Sequence, residues 1–362
     1  MIDFSRLYSL CTRGYEKVSS HLPWGYALPP NHAYILISDN CNLRCSMCTW
    51  VTGREFGKVA EKQLSKEEIC RIFETLPGNA LITLSGGEPL LRPDIFEILS
   101  NGGKKFRLHL ITNGTLLTAS YAENVVAGAM EKMYSTGILM VGISLHGDKK
   151  IEDTISGQTG TYEKILEGIQ NLVVAKNRAK RRYPLLHITT VITPENIHLL
   201  STMFLNSEKL GVDYHNFTLQ SNSEKIHSFT RLDGSGLYEF PPKQASVDSQ
   251  RLRKEILEIE KIGKKSKVSA RFSPLNVTST EVVRYYENRI NLSQYSCSGL
   301  WSKVIFSPYG DVYMCYRSLG NIRKDSAMEI WNSKAYRNLR KEIKTDCLQA
   351  GCTGCCFRSF NS

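Results

Sequence analysis

No run of about 18 apolar residues occurs in the chain, so nothing in it reads as a membrane-crossing helix. The N-terminus lacks the basic–apolar–small order of an export signal, which places the protein in the cytoplasm. No internal repeat and no long low-complexity tract is present, so repeat architectures and extended disordered tails do not fit. Acidic residues are the minority, 35 against 46 Lys and Arg, for a net charge of +11. That balance permits anionic partners, but a solvated basic surface accounts for it equally simply. The densest basic run, Lys176, Arg178, Lys180, Arg181 and Arg182, ends a helical pattern before Pro184. Cations there offset the helix dipole and need no ligand, so a nucleic-acid partner is not expected.

A chain of 362 residues, 41% hydrophobic and 22% charged, suits one large α/β domain with a smaller one. Residues 1–32 form a lead-in. Phe4, Leu7, Cys11, Tyr15 and Val18 recur at helical spacing, predicting an amphipathic helix that packs on the main domain or lies on a lipid surface. From residue 33 strands and helices alternate. Strands are expected at 33–38, 80–84, 106–112, 138–145, 185–192 and 213–219, with helices at 65–76, 93–100, 119–134, 161–176 and 195–210. Ser65 is placed to cap the first of these helices. Such a parallel sheet is open or curled into a partial barrel; periodicity does not separate the two. Residues 220–245 are rich in Ser, Gly and Pro and read as a long loop over a ligand. A charged helix follows at about 248–266. Three organisational units result: 1–32, 33–275, and a tail at 290–362 where the β/α rhythm is lost.

Eleven cysteines are many for a chain without an export signal. Their clustering points to metal or redox-centre ligation. Cys41, Cys45 and Cys48 directly follow the first strand, at the end of a parallel sheet where ligands bind. Three thiolates on one loop can hold an iron–sulfur cube with one iron left open, or a zinc ion with a distant fourth ligand. In the tail, Cys297 and Cys315 bracket a hairpin turning at Pro308–Asp311, and Cys352 and Cys355 form a second pair. Two plus two fills a closed four-thiolate site, either a second cluster or a zinc ribbon. Cys347 and Cys356 are left over, as spare ligands, thiol hydrogen donors or idle thiols. Cys11 and Cys70 fall on apolar helical faces and read as core.

The CxxxCxxC spacing, followed after the second strand by Ser85-Gly86-Gly87-Glu88-Pro89, resembles the radical S-adenosylmethionine superfamily. The tail, with Gly320-Asn321-Ile322 and Glu329-Ile330-Trp331-Asn332, resembles the auxiliary-cluster extension called SPASM or its shorter relative, twitch. The resemblance implies a partial (β/α)6 TIM-like barrel with a small C-terminal cluster-binding domain. It implies a [4Fe–4S] cluster with S-adenosylmethionine and one auxiliary [4Fe–4S] cluster. The reduced cluster would cleave the sulfonium to a 5′-deoxyadenosyl radical, which abstracts hydrogen from a substrate. Met47, Gly86, Gly87, Glu88, Asn113, Ser144 and Asn196 match cofactor-side positions. Glu88 reads best as fixing its loop, and Asn113 as a partner for a ribose hydroxyl. His146 is a catalytic candidate, with a loop-shaping role as its alternative. Ser156 stands where relatives often carry an arginine for the cofactor carboxylate, and a serine cannot make that bidentate pair.

The radical is expected at the C-terminal strand ends, facing residues 220–245 and the tail. A closed second cluster suits removal of an electron, so oxidation or epimerisation of a small molecule is expected. A ribosomal peptide maturase is the alternative, disfavoured because only 32 residues precede the first strand where a leader-binding domain would stand. A low-potential donor such as flavodoxin or ferredoxin is the implied redox partner. A non-catalytic iron–sulfur or zinc adaptor is the reading from another class.

Overall fold

The computed structural model describes residues 14–48, 62–220, 247–273, 278–315, 317–346, 348, 352, 355 and 358–360. The Ser- and Gly-rich loop, the start of the lead-in helix, Cys11, Cys347 and Cys356 lie outside them.

Seven strands build the barrel wall: β1 (His32–Ser38), β2 (Leu81–Gly86), β3 (Arg107–Thr112), β4 (Gly137–Ser144), β5 (Leu185–Ile192), β6 (Tyr214–Leu219) and β7 (Ser269–Ser273). Between and after them run α1 (Lys66–Thr75), α2 (Ile95–Gly103), α3 (Ala119–Ala127), α4 (Lys149–Ser156), α5 (Thr161–Arg178), α6 (Leu200–Lys209), α7 (Ser249–Gly263) and α8 (Ser279–Tyr286). The tail adds β8 (Tyr295–Cys297), β9 (Lys303–Phe306), β10 (Asp311–Met314), β11 (Arg317–Asn321), α9 (Ala327–Trp331), α10 (Lys334–Asp346) and β12 (Arg358–Phe360). The main sheet has ten strands in the order β11-β10-β9-β1-β2-β3-β4-β5-β6-β7 and does not close on itself. It is therefore a partial barrel, with β1 to β7 parallel throughout.

Local chemistry explains the elements. Ser65 starts α1 through a capping box with Glu68, each side chain bonding the other's backbone N–H. The helix expected to reach residue 134 stops at Ala127, because Gly128 caps it and Ala129 bridges to Ile138 instead. The short helix α4 was not foreseen. Asp148 caps its start and Gly157, in the left-handed region at φ 70°, ends it. Strand β7 and helix α8 were also not foreseen. The basic run after α5 meets the chain itself: Arg181 donates to the carbonyls of Val126, Ala127 and Ala129 at the end of α3, and Lys176 pairs with Asp213 at 3.5 Å.

Side chains alternate across the strands. One face packs against helices: Ala33, Ile35 and Ile37 of β1 are fully buried, and Leu108 of β3 lies against Gly102 of α2. The other, concave face carries His32, Tyr34, Thr83, Arg107, His109, Ser144, His187, Thr189, Asn216 and Arg271. These polar groups, set among Leu36, Ile111, Met140 and Val191, distinguish the inner face from the aliphatic outer one.

The tail hairpin joins the same sheet, since β9 pairs in parallel with β1 from His32↔Lys303 to Ile35↔Phe306. Buried Arg340 of α10 ties it to the lead-in, donating to Leu300 O, Trp331 O and Gly25 O. In the lead-in, residues 14–20 are helical. The helix packs through Ser19, whose hydroxyl donates to Trp301 O at 2.8 Å, while Val18 of the expected apolar stripe is exposed.

Candidate functional site

The loop 39–48 leaves the C-terminal end of β1 and carries the first three cysteines. It is held on two sides. Arg44 and Ser46 donate their backbone N–H groups to Ser156 O (3.1 Å) and Ile155 O (2.8 Å), docking the loop on the end of α4. On the other side Gly87 N–H donates to Ser38 O and Glu88 N–H to Asn40 O, both at 2.7 Å. The two glycines permit this contact. A Cβ on Gly86 would stand 2.2 Å from Ser38 O, and one on Gly87 2.2 Å from Asn40 O. The close backbone approach read from the Gly-Gly pair is thus made to the chain's own cysteine loop.

Glu88 is fully buried. Its carboxylate accepts from Leu90 N (2.9 Å), Thr112 Oγ1 (2.7 Å) and Asn113 N (2.7 Å), locking the ends of β2 and β3 together. Burial pushes it up to about 7 despite those donors. The Asn113 amide donates to Asn42 Oδ1 at 2.9 Å and reaches Cys41 Sγ at 3.9 Å, while its oxygen accepts from Thr115. Asn113 therefore sits at the cysteine loop, already bonded within it.

The Cys41 and Cys48 thiols stand close enough to Cys45 to add to the cost of ionising it. Burial, then its neighbours Cys48, Glu152 and Cys41, push Cys45 up to about 12, and burial raises Cys41. Ionised thiolates here need a compensating cation. Among the described residues no three His, Cys, Asp or Glu side chains converge on a single metal ion. Three soft sulfur donors spread on one loop fit a cluster whose irons are separate atoms, and leave one iron without a protein ligand. Met47 lies half-buried in the same loop.

The end of β4 is a second support. His146 is buried, its Nδ1 accepting from Val191 N at 3.2 Å, and burial lowers it to about 4. Its backbone N–H donates to the buried Glu152. Asn196 donates to His146 O (2.8 Å) and Val191 O (2.7 Å) and accepts from Thr193 N (2.9 Å), so its whole amide is engaged by backbone. His146 and Asn196 thus form the scaffold behind the site. Ser156, buried at the end of α4, bonds only backbone carbonyls of its own turn through its hydroxyl. Ser144 is half-buried at the strand end, on the concave face.

The tail cysteines form a second group. Cys297 is pushed up to about 12 by burial and by Cys355 and Cys352, and Cys315 is raised by burial and by Cys297, Cys355 and Cys352. β12 pairs antiparallel with β8, setting Arg358 against Cys297, and Cys355 N–H donates to Cys352 O at 3.1 Å. Four mutually close thiols match a closed site. Because β10 runs back against β9, Cys315 comes out level with the N-terminal end of β1. The antiparallel return thus puts Cys315 at the end of the barrel wall opposite to Cys41.

Between the two ends lies a hydrogen-bonded line that single residues in the sequence did not announce. His32 Nε2 meets Thr83 Oγ1 at 2.8 Å, Thr83 meets His109 Nδ1 at 3.3 Å, His109 Nε2 meets His187 Nε2 at 2.9 Å, and His187 Nδ1 meets Thr189 Oγ1 at 3.2 Å. Gly142 makes room for it, since a Cβ there would stand 2.5 Å from the His187 ring. The sequence shows only one histidine in each of three short strands; their contact follows from the strand register.

Comparison with known proteins agrees. Residues 35–205 match the radical SAM superfamily, and residues 297–356 match the SPASM iron–sulfur cluster-binding domain. An AdoMet-dependent heme synthase of Methanosarcina barkeri is 28% identical over 347 residues, 90% of each chain. The Bacillus subtilis protein AlbA, of antilisterial bacteriocin subtilosin biosynthesis, is 25% identical over 354 residues, 92% of this chain and 68% of AlbA. The fold resembles that of Streptococcus suis SuiB bound to S-adenosylmethionine, with a TM-score of 0.62 at 15% identity, covering 86% of this chain and 68% of SuiB. The two domain matches imply a [4Fe–4S] cluster with S-adenosylmethionine and auxiliary iron–sulfur ligation in the tail. The chain carries a radical SAM domain at residues 35–205 and a C-terminal SPASM domain at residues 297–356.

Proposed function

We propose that this radical SAM enzyme oxidises a substrate held on the concave face of its barrel. In this reading Cys41, Cys45 and Cys48 hold the cluster that meets S-adenosylmethionine, and Cys297, Cys315, Cys352 and Cys355 hold an auxiliary cluster. When bound, the first centre supplies a carbon radical able to abstract hydrogen from an unactivated C–H bond. The chain's own contribution is placement. Gly86, Gly87 and Glu88 fix the cysteine loop, while His146, Glu152 and Asn196 fix the end of β4. The apolar outer face and its helices exclude water from behind.

One observation supports oxidation above the others. The second thiol set has four members, so no position is left open for a substrate ligand, which suits an electron acceptor. The match to a protein of bacteriocin biosynthesis, over 92% of this chain and 68% of that protein, favours a peptide substrate as the second reading.

The test is anaerobic incubation of the iron–sulfide-reconstituted protein with S-adenosylmethionine and dithionite. 5′-Deoxyadenosine is expected from the wild type and none from Cys45→Ala. No 5′-deoxyadenosine from fully loaded wild-type protein would overturn the reading and leave a binding adaptor in its place.

A further inference from the structure

The strand register sets four polar side chains in one row across the concave face. Ser144 of β4 is level with Thr189 of β5, Thr189 with Asn216 of β6, and Asn216 with Arg271 of β7. Ser144 stands at the cofactor end of the row and Arg271 on the far wall, in a strand that the sequence pattern did not reveal. Neighbouring strands lie about 4.8 Å apart, so the row spans roughly 14 Å. Its groups run hydroxyl, hydroxyl, amide, guanidinium. His187 supports the row from the next layer down through its contact with the Thr189 hydroxyl.

Arg271 decides the chemistry. Its Cζ lies 3.6 Å from the centroid of the Tyr214 ring, which fixes the guanidinium by a cation–π contact and leaves its in-plane N–H donors for an acceptor. Among the described residues no carboxylate pairs with it. The inward positions of β1 to β7 carry Arg107 and Arg271 and neither Asp nor Glu. The buried histidines of the floor are held neutral by burial, His187 at about 4. Among the described residues these strand positions therefore offer hydrogen-bond donors and a fixed positive charge, with no carboxylate on the same face.

We infer that the row Ser144–Thr189–Asn216–Arg271 is the substrate-binding track, and that it takes an elongated ligand whose carboxylate is held by Arg271. The reacting carbon then lies near Ser144, roughly three strand spacings from the carboxylate. This rests on the functional reading above for the identity of the reacting end only. The carboxylate can come from an acidic peptide or from the propionate of a tetrapyrrole, and the row's span accommodates either.

Binding tests this without turnover. The cluster-loaded protein is titrated anaerobically with two matched pairs of probes. One pair is coproporphyrin III and its tetramethyl ester; the other is the hexapeptide Gly-Glu-Gly-Glu-Gly-Glu and its amidated Gly-Gln counterpart. At least one carboxylate form is expected to bind tenfold or more tightly than its neutral partner. Arg271→Gln and Arg271→Met should erase that gap, and Arg271→Lys should keep part of it. Whichever pair shows the gap identifies the carboxylate's source. The inference fails if neither pair shows a gap, or if the gap persists in a folded Arg271→Gln or Arg271→Met protein. Absence of 5′-deoxyadenosine from the wild type would instead strike the functional reading, which these titrations do not probe.

Discussion

Replacing Gly87 by alanine isolates the packing that positions the first cysteine loop. The added Cβ would stand 2.2 Å from Asn40 O, 2.6 Å from Asn40 C and 2.9 Å from Asp39 O, all backbone atoms that cannot rotate away. The loop must move off β2, and the adjacent Glu88 N–H to Asn40 O bond at 2.7 Å stretches with it. Forced overpacking costs about 1–3 kcal/mol. A weakened backbone hydrogen bond adds about 1 kcal/mol. At roughly 1.3 °C per kcal/mol for a chain of this size, from about 2.1 cal/mol/K per residue, the melting midpoint should fall by about 3–5 °C. Gly78→Ala is the control, because a Cβ there meets only the Lys105 side chain at 3.7 Å. Both variants are melted anaerobically before reconstitution, and their iron is counted after it. Since Asn40 directly precedes Cys41, Gly87→Ala should also retain less iron than the control. A Gly87→Ala protein that melts with Gly78→Ala and takes up full iron would refute the reasoning.

Glu88→Gln leaves one carbonyl oxygen where three donors converge, and should cost about 1–3 kcal/mol in urea unfolding at pH 8, against no change if the carboxylate is incidental. His215 is held at about 3 by burial, bonded to Thr190 Oγ1 and Ser207 Oγ. Below pH 6.5 the unfolded chain gains a proton that the native ring refuses, so stability falls on acidification; at pH 5 the loss is about 2 kcal/mol, and His215→Gln should flatten that part of the pH profile of the urea midpoint. Arg340→Met orphans the carbonyls of Leu300, Trp331 and Gly25, and should lower stability by about 3 kcal/mol and speed proteolytic release of the lead-in. Cys297→Ala should remove about four of roughly eight irons, and retention of all of them would dissociate this thiol from any cluster.

The sequence was legible where chemistry is local. The cysteine spacing, the Gly-Gly-Glu turn and the Ser65 cap each depend on residues a few positions apart, and each is where the pattern put it in the fold. The ends of elements were less legible. The helix beginning at Ala119 continues to look helical past Ala127, yet the backbone at Ala129 takes a partner on β4 that no local propensity records. Helix α4 follows His146 with no intervening strand, so the β/α rhythm hid it. Strand β7 is five residues long and begins and ends on Ser, and its place beside β6 is a matter of sheet order. Arg271 and the His109–His187 contact were invisible for the same reason. A residue's inward or outward sense follows from register, and register is a property of two strands.

Strand β1 connects the two thiol sets. Its C-terminal end leads into Cys41, while its N-terminal residue His32 is paired with Lys303, level with Cys315 through the β9–β10 hairpin. At about 3.3 Å per residue, the seven residues of β1 separate the two ends by roughly 20 Å. In the proposed oxidation the substrate gives up hydrogen at the first end and an electron towards the second, so it would lie along the barrel wall between them. The polar groups along that wall are the line from His32 to Thr189, which at Thr189 meets the row that crosses β4 to β7 and ends at Arg271. Both are polar where the sheet's outer face is aliphatic, and Gly142 is small where the His187 ring needs space. Buried polar groups stabilise a fold poorly unless they are fully bonded, and aliphatic side chains would fill this interior at lower cost. The imidazoles, hydroxyls and stacked guanidinium on this one face are the groups with which the proposed track would hold its ligand.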